Sequence, residues 1–352
     1  MAPVADPDPA VAPDPGVDRF VLLFALAWAG GTIAYTPLLT ILLPVQVAGL
    51  VGRTAGIDWL AYIALVGALA ASAAGVGFGY LSDITRNRRG WIAAGLALSC
   101  TLLVLIGRAT TLPGLIAAIV GWQLALNMML GPLSAWAGDV VPDRRKGMLG
   151  GLMAFAPGMG ALAAAVVTHP GLAAEETRLW LVAGLVLLFV LPVLLVPAPA
   201  HPVTAPQPDA PPEEQVFAAA RRGSMLRMWV ARLAIQIAEA TLFAYLFFWL
   251  VDLDPSVSDN QSARLFSAIM LVSAPLALAA GRWSDRKDRP IQPLQFCALV
   301  SALGLVAMTF AADVPAASLA YGLFGVSSAV FLALHSAQTL RILPRADRRG
   351  RD

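Results

Sequence analysis

The chain has 352 residues, of which 58% are hydrophobic and only 13% charged, and its mean hydropathy is +0.73. Roughly a quarter of the residues in a soluble domain are charged, so this composition excludes an ordinary water-soluble fold and describes a polytopic membrane protein. The net charge of +2 gives nucleic-acid binding no support, and the two cysteines, Cys100 and Cys297, lie in apolar runs without the spacing of a disulfide framework or a zinc site.

Residues 1–18 are rich in Pro, Ala and Asp and lack the basic start of a signal peptide, which predicts a disordered tail. From Phe20 to about Leu50 runs an apolar stretch that would be about 45 Å long as a straight helix, more than the ~30 Å hydrocarbon core needs. It should therefore tilt or break, and Gly30, Gly31, Pro37 and Pro44 are the expected break points. Thr32, Thr36 and Thr40 share one face with Tyr35 beside them. They read either as substrate contacts or as hydroxyls bonded back to their own helix.

Further spans are predicted at about 59–80, 91–107, 112–134, 147–168 and 179–197, six in the first half. Gln123 and Asn127 stand one turn apart on the fourth span, as interhelical glue or as polar contacts for a substrate. The fifth is crowded with Gly and Ala, which favours close helix packing. Residues 198–225 begin with a proline-rich run and read as a linker between residues 19–197 and 226–352. Beyond it, spans at about 226–251, 264–282, 291–312 and 315–339 bring the total to ten.

Of 46 charged residues, Arg232 and Glu239 are the two that fall well inside a span. With Gln236 they lie at i, i+4 and i+7, along one face of the seventh span. Such groups are costly at membrane depth, so Glu239 is placed to bind a proton or a cationic group, or else to neutralise Arg232 through Gln236. His335 and Gln338, one turn apart at the end of the tenth span, read as solvated or capping residues, with a proton relay through the histidine as the alternative.

Two loops repeat. GYLSDITRNRRG (Gly79–Gly90) is answered by GRWSDRKDRP (Gly281–Pro290), with Ser82 and Asp83 lying 202 residues before Ser284 and Asp285; Pro142 and Pro344 have the same offset. Two loops at one offset imply two homologous halves. Nineteen of the 24 basic residues fall in the tails, the linker and the loops after even-numbered spans, against four (Arg53, Arg108, Arg178, Arg264) in the loops after odd-numbered spans. The positive-inside rule then places both termini in the cytoplasm.

The first loop resembles the signature loop of the major facilitator superfamily, through Gly79, Ser82, Asp83, Arg86 and Arg89, and Asp285 repeats the aspartate. The resemblance implies an all-α membrane protein of two pseudo-symmetric bundles in the cytoplasmic (inner) membrane. It would be a secondary active transporter that holds a small-molecule substrate between the halves and alternates access to it, with protons as a coupling ion. In such proteins the loop carrying Asp83 steadies the contact between the bundles. Six plus four spans depart from the six plus six of the pattern, which would place two more helices after Asp352. The run GPLSAWAGDVVPDRRKG resembles sugar-transporting branches, implying a sugar or related metabolite. Ala156, Pro157, Gly158 and Gly160 are loosely similar to an element of drug antiporters, which keeps a drug or metabolite exporter open, as is a non-transporting fragment. No nucleophile with its base, paired carboxylates or phosphate-cradling loop points to an enzyme or a cofactor.

Overall fold

Within lipid a chain segment must satisfy its own backbone N–H and C=O groups, and apolar runs of about 20 residues do so by coiling. The computed structural model describes residues 15–141, 143–197, 218–287 and 291–342, and these contain helices and no strand. In order they form α1 (Pro15–Pro37), a π-helical turn (Leu38–Leu42), α2 (Leu43–Thr85), α3 (Arg88–Ile106), α4 (Leu112–Val140) and α5 (Asp143–Met153). There follow α6 (Ala156–Val167), α7 (Glu175–Leu195), α8 (Ala218–Leu253), α9 (Asp259–Lys287), α10 (Ile291–Thr309) and α11 (Val314–Ile342). Most of the N-terminal tail and of the proline-rich linker, and Pro344, lie outside the described residues.

Among the described residues, nine helical stretches are long and apolar enough to cross a bilayer. The first, Gly16–Thr85, is 70 residues long, about 105 Å if straight and so more than three hydrocarbon thicknesses. It breaks at Gly52, where φ is +74° and ψ 174°, a conformation essentially confined to glycine. Taken as two spans joined at Gly52, this stretch brings the total to the ten predicted.

Gly30 and Gly31 are not break points, because α1 runs straight through both. A Cβ on Gly30 would lie 2.6 Å from Val190 Cγ2, and one on Gly31 would lie 2.6 Å from Leu130 Cδ2, so both glycines are surfaces for close helix packing. The expected irregularity comes between Pro37 and Pro44, where the missing N–H of Pro44 and its ring's clash with the preceding turn are absorbed by the wider π-helical turn. The fifth span also departs from expectation. It is interrupted between α5 and α6 at Ala154 and Phe155, with Pro157 in the first turn of α6. Thr32 Oγ1 bridges to the segment, lying 2.6 Å from Ala156 O and 2.8 Å from Ala29 O.

The repeat extends to helix ends. α4 and α11 start 202 residues apart, at Leu112 and Val314. Even the caps correspond: Thr111 Oγ1 accepts from Gly114 N (3.3 Å) and Asp313 Oδ1 accepts from Ala316 N (2.8 Å), again at that offset. Each half has its own core, one around Phe20, Phe24 and Trp122, the other around Leu246, Tyr321 and Phe324. Large apolar side chains such as Leu65, Leu69, Leu188, Trp229 and Leu299 point outward, as a lipid-facing surface requires.

The halves meet chiefly where α6 lies against α9. Ser267 Oγ donates to Ala161 O at 2.6 Å, Ala164 packs with Ala263 and Ile41, and a Cβ on Gly158 would lie 3.2 Å from Leu271 Cδ2. Small residues here allow the two helices to approach, as membrane helix interfaces demand.

Candidate functional site

Helical spacing sets three short rows of side chains toward one point between the halves. Glu239, Leu242 and Phe243 come from α8, Phe266 and Met270 from α9, and Tyr321, Phe324 and Ser328 from α11, in each case at i, i+3 or i+4. The first half contributes Tyr35 and Thr36 from the end of α1 and Pro157 from α6, and together these enclose a cavity of about 210 Å³. Ser328 lines the cavity beside Glu239, and its hydroxyl donates to Gly325 O at 3.2 Å. Tyr321 on α11 and Arg232 on α8 are within electrostatic range of the Glu239 carboxylate. The Phe243 ring stands 6.3 Å from that of Tyr35 across the seam and 5.7 Å from that of Phe266, edge to face. A larger cleft of about 610 Å³ opens beside Gln46, Arg108 and Glu176, but it is lined by the first half alone.

Of the residues singled out in the sequence, the structure brings Tyr35, Thr36 and Glu239 together. Thr32 and Thr40 instead bond to backbone carbonyls, Thr40 to Thr36 O at 2.7 Å. Arg232 Nε donates to Gln236 Oε1 at 3.2 Å on the flank of α8, and Gln236 is exposed outside the cavity. Gln123 and Asn127 sit elsewhere: they pack where α4 crosses α2 near Gly67 and Gly75, and Asn127 Nδ2 donates to Gln123 O at 2.9 Å. His335 is neither solvated nor a cap. It is buried, its Nε2 is 2.9 Å from Met228 O and its ring lies against Phe331. The side chains of Gln338 and Asp285 lie outside the described residues.

The signature loop is held within the first half. Arg88 is its hub, paired with Asp83, 2.5 Å from Ser82 Oγ and 3.1 Å from Asp139 Oδ2 at the end of α4. Arg86 closes α2 with φ +51°, and Asn87 caps α3 by accepting from Gly90 N at 3.0 Å. Arg89 donates to Val196 O and lies over the Trp136 ring, 5.3 Å from its centroid. Gly79 marks the close approach of α2 to α4, since a Cβ on Gly131 would stand 3.3 Å from Gly79 N.

The polar contacts joining the two halves gather toward the loops that follow odd-numbered spans. Arg178 at the start of α7 reaches Asp259 at the start of α9 (2.5 Å), and their side chains are only 12% and 19% exposed. Asn260 Nδ2 donates to Ala165 O (2.8 Å) and Thr168 Oγ1 (3.1 Å), Tyr245 OH donates to Ile57 O (3.2 Å), and Arg53 pairs with Asp252 at the surface (3.3 Å). In the same region Asp254, outside the spans, is held below the usual carboxylate range by hydrogen bonds from Ser256, whose N lies 2.8 Å from Asp254 Oδ1.

Sequence reasoning missed the aromatic wall of the cavity, Arg88 as the hub, and the Arg178–Asp259 pair. Phe243 carried the one usable signal, four residues after Glu239 and hence on the same helix face.

The Major Facilitator Superfamily model matches residues 20–351. A sequence search of curated proteins returns no match. Similar solved structures include a bacterial homolog of the human lysosomal transporter Spinster in an inward-facing, unoccupied conformation, at TM-score 0.69 and 16% identity, covering 93% of this chain and 75% of that one. The nucleoside transporter NupG is similar at TM-score 0.64 and 14% identity, with 91% and 80% covered. A D-xylose–proton symporter is similar at TM-score 0.63 and 13% identity, with 94% and 84% covered.

Proposed function

The chain belongs to the major facilitator superfamily, and from that premise we propose that it is a secondary active transporter, moving a small solute across the cytoplasmic membrane by alternating access with protons as the coupling ion. The observation that carries this reading is the position of Glu239, an ionisable group inside a membrane span that lines a cavity built by both halves. Ionisable residues at such depth mark substrate and ion pathways, and in repeat-built transporters those pathways lie where the repeats meet. The D-xylose–proton symporter among the similar structures supports proton coupling as part of this reading.

Alternating access needs an interface that can close on one side and part on the other. The seam between the halves supports this: polar contacts from α6 and α7 to the start of α9 cluster on the side of the odd-numbered loops. With both termini cytoplasmic, as the arginine distribution supports, that side faces outward, and reporter fusions at the two ends should give the same inward signal.

Proteoliposomes containing the chain test the reading with an imposed pH gradient and a panel of sugars, nucleosides and organic cations. Gradient-dependent accumulation of a solute, abolished by a protonophore, is the expected result. Failure to move any solute, in uptake or exchange, would overturn it.

A further inference from the structure

Resting on the transporter reading, we infer that the cavity between the halves takes a small organic cation, an ammonium group held by the Glu239 carboxylate within a wall of aromatic rings.

The size of the site comes first. About 210 Å³ is room for some seven waters at about 30 Å³ each, below the range of about 300–1,000 Å³ that takes drug-sized ligands. The lining then narrows the chemistry. Four helices each send a ring or two to the cavity: Tyr35 from α1, Phe243 from α8, Phe266 from α9, and Tyr321 and Phe324 from α11. Rings 5.7–6.3 Å apart at steep angles present both faces and edges, and a ring face is attractive to a cation and repulsive to an anion. Among the described residues, Glu239 is the one acidic lining residue and no lining residue is basic.

Alternatives fit less well. A sugar or nucleoside would bring a ring of hydroxyl groups, each needing its own partner once water is excluded. Among the described residues the lining offers no amide to meet them, because Gln123 and Asn127 are at the α2–α4 crossing and Gln236 is outside. The Ser328 hydroxyl is already engaged with Gly325 O. An anion would meet the carboxylate's repulsion, and a neutral apolar solute would strip the carboxylate of water with nothing in exchange. A compact cation gains from the carboxylate and from the rings at once.

Calorimetric titration of the purified chain with choline, benzyltrimethylammonium and 3,3-dimethylbutan-1-ol tests this directly, since the alcohol copies the shape of choline without its charge. At least one cation should bind tenfold or more tighter than the alcohol. Glu239→Gln should erase that preference. Phe243→Leu should weaken the cation several-fold and leave the alcohol unchanged. If neither cation outbinds the alcohol on the unaltered chain, the inference is overturned, whatever the variants do. Vesicle uptake separates the two readings: a cation that binds but is never carried contradicts transport and leaves the pocket chemistry standing. A sugar that is carried while no cation binds does the reverse.

Discussion

Removing the Arg178–Asp259 ion pair should open the molecule on the side of the odd-numbered loops. The pair joins the two halves at the starts of α7 and α9, with both side chains largely out of water. A charge-assisted hydrogen bond contributes about 1.5–3 kcal/mol net. Two features favour the lower end: the guanidinium contacts the carboxylate through a single Nη1, and its Nε is buried without a hydrogen-bond partner. Losing about 1.5 kcal/mol from the closed arrangement alone shifts the closed-to-open ratio about tenfold. Spin labels at Thr54→Cys and Pro255→Cys, exposed positions on opposite halves, with Cys100 and Cys297 replaced by alanine, would read this as growth of a longer-distance population in Asp259→Asn. The charge-reversed double variant Arg178→Asp/Asp259→Arg should recover the original distribution. An unchanged distribution in Asp259→Asn would refute the assignment of this pair as a closing contact.

Gly160→Ala should lower thermal stability in detergent by about 1–3 kcal/mol through overpacking, because its Cβ would lie 2.7 Å from Thr36 Oγ1 and 2.8 Å from Thr32 O; an unshifted melting curve would contradict the tight α1–α6 contact. Asp83→Asn should keep membrane insertion and cost at most about 1 kcal/mol, since its side chain is 57% exposed and its partner Arg88 keeps Asp139; loss of expression would make it a folding determinant. Asn127→Leu should reduce stability by about 0.6 kcal/mol, the average for membrane side-chain hydrogen bonds, and leave transport kinetics unaltered. A changed KM would return that amide to the substrate path.

The bundle itself is legible in the sequence because a bilayer leaves a long apolar run almost no alternative to a helix. The 202-residue repeat, found in two loops, holds at the starts of α4 and α11 and at the caps Thr111 and Asp313. Glycine was misleading at Gly30 and Gly31. Without competing water the helix keeps its hydrogen bonds through a glycine, and the missing side chain serves a neighbouring helix instead. The cavity was legible in part. Glu239 stands out because charge is rare at depth, whereas Phe266, Tyr321 and Phe324 look the same in sequence whether they face lipid, core or cavity. Periodicity gives such residues a face but not the helix across from it. The Arg178–Asp259 pair was hidden for the same reason, its partners being 81 residues apart.

The most direct test of the account is solute movement by Glu239→Gln in proteoliposomes, with uphill accumulation under a pH gradient measured beside exchange at equilibrium. Because the substitution keeps the shape of the side chain and removes its proton site, the account predicts that accumulation is lost while exchange persists, at a raised KM if the solute is a cation. Accumulation equal to that of the unaltered chain would contradict it, and would make Glu239 a structural partner of Arg232 and Ser328.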